Sequence, residues 1–285
     1  MLVALAAIWG ASFLFMRVAA PEFGAIPLIG LRVGLAAAVV VPLLFFRGTS
    51  SELKGNWKTI SILGLTNAAL PFTLFAYATL SLSAGFTSVL NSLAPMFTAL
   101  IGFIWLRQKL APSALLGLFI GVLGVSYLVQ DKTQVVGTEQ WLGVLASIAA
   151  CVLYGFAANY AKEHRGNLSP LSTTGGNLLI ASIVMAPLSY LFWPATEPSV
   201  TAWVATLLLA ILCTGLAQLM YFWLLHRVSA HSATSVTFLI PMFGMFWGYL
   251  YAGETITPHM LLGCGVILLG VALTIGLISN RKAPH

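Results

Sequence analysis

Residues 88–95, Ser-Val-Leu-Asn-Ser-Leu-Ala-Pro, place a cluster of polar groups inside an otherwise apolar run. Ser88, Asn91, Ser92 and Pro95 stand at i, i+3, i+4 and i+7, which puts them on one face of a helix. Thr234, Thr237, Phe238 and Pro241 repeat the spacing. A proline inside a helix removes a backbone donor and disrupts the carbonyl four residues back. Those carbonyls belong to Asn91 and Thr237. In hydrocarbon a freed carbonyl needs a partner or a water-lined cavity. Hydroxyls, an amide and freed carbonyls at one spot are the chemistry for holding a polar ligand. The competing reading is a structural kink in which Ser and Thr mend the backbone. For the face as a whole the cavity is the better reading, because a polar stripe against lipid is costly.

Other segments offer matching material. Asn67, Pro71 and Phe75 are spaced by four, and Thr214, Gln218 and Tyr221 share a helix face. Trp9, Ser12, Phe13 and Met16 come from the first apolar run, Tyr154 and Asn159 from the sixth. The predicted substrate cavity is therefore Trp9, Ser12, Phe13, Asn67, Phe75, Ser88, Asn91, Ser92, Pro95, Tyr154, Gln218, Tyr221, Thr237 and Pro241. Aromatic walls with scattered amides and hydroxyls are the usual makeup of a small-molecule site. Taken singly, each aromatic is as well explained by packing or by an interfacial belt. Arg32 is the one charge well inside an apolar run, ~9 Å below the surface at the helical rise per residue. An intramembrane ionisable residue is a functional candidate. Arg32 is a candidate contact for a substrate carboxylate, and the alternative is a side chain that snorkels to the headgroups.

Bond-making chemistry is poorly provided for. The seven acids, Glu22, Glu52, Asp131, Glu139, Glu163, Glu197 and Glu254, all fall in loops or at helix ends. Intramembrane hydrolysis would want Ser, His and Asp together, or paired aspartates at depth. His164, His226, His231, His259 and His285 lie at helix ends or the terminus. No HExxH, phosphate loop or GxGxxG fingerprint occurs. Cys151, Cys213 and Cys264 are far apart and read as small buried hydrophobes. No cofactor and no metal are expected. A titrating carboxylate in the pathway is the usual mark of proton coupling. Neither that carboxylate nor the counter-charge that a carrier of lipophilic cations needs is present, which favours neutral or zwitterionic cargo; energy coupling is left open, with facilitated export down a gradient the simplest expectation. A channel would show a ring of selectivity charges, and none is present.

These residues must be held by membrane-spanning helices. The chain of 285 residues is 59% hydrophobic and 7% charged, against about 25% charged for a soluble domain. Ten apolar segments recur, at roughly 2–20, 26–46, 57–79, 83–106, 112–130, 141–162, 171–193, 201–225, 230–252 and 258–279. Their length suits a bilayer, about 20 residues. The fold class is all-α and polytopic, and the partner of its surface is the lipid bilayer. The net charge of +6 belongs to loops near headgroups, and nucleic acid is not an expected partner. No basic region precedes the first run, so a cleaved signal peptide is not expected. With the N-terminus inside, ten basic residues fall on the cytoplasmic side: Arg47, Lys54, Lys58, Arg107, Lys109, Lys162, Arg165, Arg227, Arg281 and Lys282. Arg17 and Lys132 fall outside. The positive-inside rule then puts both termini in the cytoplasm.

The chain also repeats. A shift of 145 residues pairs Trp9-Gly10 with Tyr154-Gly155, Arg32 with Asn177 and Pro42 with Pro187. A shift of 146 pairs Trp57 with Trp203, Ser83-Ala84 with Ser229-Ala230, and Pro95-Met96-Phe97 with Pro241-Met242-Phe243. Residues 1–130 and 141–285 read as two copies of a five-helix unit joined by 131–140. An odd helix count turns the second copy upside down, and inverted repeats place substrate sites near the midplane at the repeat interface. Glu254 lies just before Thr257-Pro258, where a carboxylate would favour the positive end of the tenth helix. Gly117 with Gly121, and Gly30 with Gly34, are small-residue motifs for either internal packing or dimerisation. A monomer or weak homodimer is expected.

The Trp9-Gly10-Ala11-Ser12 stretch, the two Pro-Met-Phe stretches, Gly253-Glu254, Leu262-Gly263 and the Gly-rich run to Gly270, set in two five-helix halves, resemble the drug/metabolite transporter superfamily, EamA type. The resemblance implies an inner-membrane exporter of small metabolites, and within it the amino-acid exporters, including aromatic ones. Gln108 stands where the first copy should match Glu254, so no symmetric acid pair is implied. The resulting expectation is export by alternating access between the repeats. The alternatives are a multidrug or lipophilic-compound exporter and, in another class, an intramembrane enzyme.

Overall fold

The computed structural model describes residues 1–131, 135–164, 166–225 and 236–277. Thr234, Ser229-Ala230, Lys132, Arg165, Arg227, Arg281, Lys282, His226, His231 and His285 lie outside them. The described chain is helical throughout, without strands. Its main helices are α1 (Leu2–Phe23), α2 (Ala25–Phe46), α3 (Trp57–Ser81) and α4 (Ala84–Leu106), then α5 (Pro112–Leu128), α6 (Thr138–His164) and α7 (Pro170–Leu191). They continue with α8, built from Val200–Leu207, Leu208–Leu216 and Ala217–Leu225, then α9 (Val236–Ala252) and α10 (Pro258–Thr274). Among the described residues seven helices are long and apolar enough to cross a membrane, and the described spans of α5, α9 and α10 are shorter apolar helices. Phe45, Phe119, Leu191 and Leu262 are exposed on the outside of the bundle, as a lipid-facing surface requires. The protein is a polytopic all-α membrane protein.

Local chemistry sets the helix ends. Ser83, Ser169, Ser199 and Thr257 are N-caps whose hydroxyls accept from Phe86, Ser172, Ala202 and Met260 amides, each satisfying a donor that the first turn leaves unpaired. Pro112, Pro170 and Pro258 occupy first helical positions, where the missing N–H costs nothing. Carboxylates from distant segments complete these starts. Glu22 accepts from the Ser199 amide at 2.6 Å and Glu52 from the Ser169 amide at 2.8 Å. Thr257 donates its hydroxyl to Asp131 at 2.7 Å. Glu254 does not sit at the start of α10, as its sequence position suggests. It accepts the Ala84 and Gly85 amides at the start of α4.

Packing is largely between the two halves of the chain. The most extensive contacts pair α5 with α10, α2 with α7, α1 with α9, and α6 with α3 and α4. Small residues make the close approaches possible. A Cβ on Gly117 would lie 2.5 Å from the Gly270 carbonyl oxygen, and one on Gly10 2.7 Å from the Phe243 Cβ. Gly30 and Gly34 face Ser189 and Ser182 of α7. Both small-residue motifs are thus spent on contacts within the chain.

Three helices depart from regularity where the sequence places proline or threonine. Pro71 cannot donate to the Asn67 carbonyl, and α3 widens into a π-helix over Leu65–Ala69, closed by the Leu70 amide on the Leu65 carbonyl. The π stretch of α8 spans Leu208–Leu216, with the Thr214 hydroxyl donating to the Leu209 carbonyl at 2.9 Å. In α4 the α-helical ladder stops at Asn91 and restarts at Ala94, with tighter turns at Ser92 and Leu93. Pro95 is the cause, since it cannot bond the Asn91 carbonyl. By contrast Pro241 lies within a continuous α9.

Candidate functional site

A cavity of about 740 Å³ lies between the two halves. It reaches Gln108, Lys162, Thr274 and Ile275, at the molecular end where α4, α6 and α10 finish. Trp9, Phe13, Phe75 and Tyr154 form aromatic walls around its middle. Phe75 connects two of them, edge-on to Phe13 with centroids 5.7 Å apart and 6.0 Å from Tyr154. Trp9 packs on Tyr221 at 5.3 Å. Amides line the intervening wall: Asn67 from the π stretch of α3, Asn91 beside the break in α4, and Gln218 from α8. π turns are frequent at functional sites because they re-aim side chains and loosen the ladder.

Arg32 occupies the deep wall. It is only 5% exposed. Its Nε donates to the Thr214 hydroxyl at 2.9 Å, one Nη approaches the Met16 sulfur at 3.7 Å, and Cζ lies 3.7 Å over the centre of the Phe72 ring. The side chain turns inward to α8, so the snorkelling alternative does not hold.

The other end of the bundle is tied together. Ala84 and Gly85 donate to Glu254 at 2.6 and 3.1 Å, and Arg17 donates to the Thr79 and Leu80 carbonyls at 2.7 and 3.0 Å. Ser81 donates to the Glu139 carbonyl at 3.0 Å. Between this end and the cavity, Ser88 packs against Gly244 so closely that a Cβ on Gly244 would collide with it. Among the described residues no cluster of His, Cys, Asp and Glu could hold a metal.

The sequence pattern of the EamA-like transporter family matches residues 1–130 and again 141–276. The chain belongs to the EamA-like transporter family. It is 24% identical over 284 residues to the uncharacterized transporter YoaV of Bacillus subtilis (strain 168), covering 99% of this chain and 97% of that one. It is 22% identical over 271 residues to the protein PagO of Salmonella typhimurium, covering 94% of this chain and 89% of PagO. A solved crystal structure superposes with a TM-score of 0.66 at 20% identity, over 97% of this chain and 96% of the other, which is a likeness of fold. The protein is a membrane transporter.

In this EamA-like transporter, Trp9, Ser12, Phe13, Arg32, Asn67, Phe75, Asn91, Pro95, Tyr154, Gln218, Tyr221 and Thr237 come together at the cavity wall. Ser88, Ser92 and Pro241 do not. Ser88 is fully buried, donates to the Gly85 carbonyl at 2.7 Å and faces α9. Ser92 turns back onto the Val89 carbonyl at 2.6 Å. Pro241 is buried, with its carbonyl 3.5 Å from the Ser88 hydroxyl. The four positions share one face only in a helix unbroken through Pro95, and the break at Ser92–Leu93 separates the stripe into two directions. The freed carbonyl is also partnered: the Cys151 thiol reaches the Leu90 and Asn91 carbonyls at 3.4 and 3.8 Å. Cys213 likewise donates to the Ile8 carbonyl at 3.1 Å, so two of the cysteines serve as weak donors.

Several wall residues lie outside the cavity predicted from the sequence. Thr98 continues the Asn91 and Pro95 face by one more turn, and Lys162 continues that of Asn159. Thr98 follows from Pro95, and Lys162 from Asn159, by helical spacing. Phe72, Gln108, Thr274 and Ile275 had no such signal, being placed by tertiary packing.

Proposed function

We propose that this transporter exports small metabolites, amino acids first among them, by alternating access around the cavity between its halves. The cavity carries the reading: it extends to one end of the bundle while bonds through Glu254, Arg17 and Ser81 tie the other. The wall residues Trp9, Asn67, Phe75, Asn91, Tyr154, Gln218 and Tyr221 are the proposed substrate contacts.

The halves 1–130 and 141–285 act as inverted repeats. Exchange of partners supports this, since α1 packs on α8 and α9 while α6 packs on α3 and α4. Local geometry supports it too. The Gln108 amide donates to the Gly102 carbonyl at 3.1 Å, and the Glu254 amide donates to the Gly248 carbonyl at the same distance. Arg107 and Gly253, 146 positions apart, both take left-handed backbone, with φ of 52° and 64°. Two near-equivalent halves provide two near-equivalent states, open to either side.

The bias of Lys and Arg toward one set of loops supports termini in the cytoplasm, in the inner membrane of a cell. The cavity in this structure then faces the cytoplasm, the side from which an exporter loads. Purified protein in liposomes loaded with labelled amino acids is expected to show counterflow for at least one of them. Absence of counterflow for every amino acid would sink the proposal.

A further inference from the structure

The cavity wall holds two cations, Arg32 at depth and Lys162 near the mouth, and none of the chain's seven acidic residues. A guanidinium has five N–H donors and stays charged when buried. In Arg32, Nε is taken by Thr214, and among the described residues one Nη has only the sulfur of Met16, a weak acceptor. Phe72 covers one face of the group. No carboxylate of the protein pairs with it among the described residues. A buried charge is costly unless paired, so the counter-charge falls to whatever enters the cavity. A planar carboxylate matches the guanidinium fork with two parallel hydrogen bonds. Phe72, Phe75 and Tyr154 line the same cavity, where they can receive an aromatic or apolar body. An ammonium group finds the reverse: like charge from Arg32 and Lys162, and no acid to meet it.

We infer that Arg32 is an anion subsite that selects cargo by its carboxylate, and that the amino group is dispensable. The substrate class is monocarboxylic acids with an aromatic or apolar body, of which amino acids are the amino-bearing members. This rests on the reading of the cavity as the cargo site.

Three matched compounds decide it: phenylalanine, 3-phenylpropionate, which lacks the ammonium, and phenethylamine, which lacks the carboxylate. Binding to purified wild-type protein is measured by calorimetric titration, and flux by counterflow in liposomes. 3-Phenylpropionate is expected to bind at least as tightly as phenylalanine, and phenethylamine roughly tenfold or more weakly, the scale of a lost charge-assisted bond. Arg32→Gln is expected to weaken the acid by a similar factor, with Arg32→Lys between the two. Phenethylamine binding as well as the acid overturns the inference, as does binding of none of the three. Arg32→Gln with unchanged affinity for the acid also overturns it. Should Arg32→Gln fail to fold, the wild-type comparison still decides. Carboxylate-selective binding without flux of any compound upholds the subsite and defeats the transport reading. Flux blind to the carboxylate upholds transport and defeats the subsite.

Discussion

Glu254 accepts the backbone amide of Ala84 at 2.6 Å. The turn between α9 and α10 is thereby fastened to the first turn of α4, in the other half of the chain. A second bond, from the Gly85 amide at 3.1 Å, makes the carboxylate a cap for that helix start. Gly248 leaves the room, because a Cβ there would collide with the Glu254 carboxylate.

Removing this carboxylate leaves two first-turn donors without their partner. Glu254→Ala is expected to cost about 1–2 kcal/mol, as for other lost helix caps. Glu254→Gln keeps an acceptor and loses the charge, so its cost is smaller. Apparent melting temperatures of the detergent-solubilised variants check the order. An Ala variant as stable as the wild type would remove the cap from the account.

Asn91 and Ser88 lie one helical turn apart in the sequence and face different surroundings. Asn91 lines the cavity, whereas Ser88 is buried against Gly244. Asn91→Leu is expected to abolish counterflow while its size-exclusion profile stays that of the wild type. Ser88→Leu adds volume to a closed contact and is expected to cost about 1–3 kcal/mol of stability. Normal flux with Asn91→Leu would move the site elsewhere.

That pair also marks what could be read from the sequence. Helical period alone brings Trp9 with Phe13, and Gln218 with Tyr221, to a common wall, because those segments keep one register across the positions concerned; Asn67 and Phe75 also meet there, although the π stretch over Leu65–Ala69 lies between their registers. It misdirects Ser88 and Ser92, because Pro95 breaks α4 between the residues being compared. The spans themselves were legible from apolar length, which hydrocarbon imposes locally. The carboxylate caps were not. Glu22, Glu52 and Glu254 each meet a helix start in the other half, and Asp131, in the joining segment, meets the start of α10; no local pattern names so distant a partner. Arg32 was legible as a charge at depth, but its direction depends on Thr214 and Phe72, which only the fold brings near.

Glu52 gives a pH-dependent test outside the membrane-spanning helices. The Ser169 amide donates to its carboxylate at 2.8 Å and is the main reason its pKa lies below the ordinary carboxylate value, with hydrogen bonds from Ser172 and Ser169 side chains adding and desolvation opposing. A depressed pKa stabilises the folded state above the unfolded value and loses that contribution as pH falls through the folded one. Glu52→Gln is therefore expected to lower the melting temperature modestly near neutral pH, in keeping with a partly exposed group. The difference should shrink as pH falls through the depressed folded-state value and vanish below it, where both proteins are uncharged at this position. A difference that persists unchanged in acid would mean that packing, not charge, ties Glu52 to α7.

Arg107 offers a test of the proposed repeat. It is the one non-glycine residue with positive φ among the described residues, at 52°, and Gly253 holds the equivalent turn at 64°. In both, the next residue's amide returns to a glycine carbonyl, Gly102 or Gly248, at 3.1 Å. Left-handed backbone costs an L-residue with a side chain roughly 1 kcal/mol, and glycine escapes that cost. Arg107→Gly should relieve the strain while giving the unfolded chain more freedom, so a net gain of up to about 1 kcal/mol is expected. Gly253→Ala imposes the strain where it is absent and should lose about 1 kcal/mol. The two variants must therefore shift the melting temperature in opposite directions. Shifts of the same sign would show that the turns are held differently in the two halves, and would weaken the case for a shared five-helix plan.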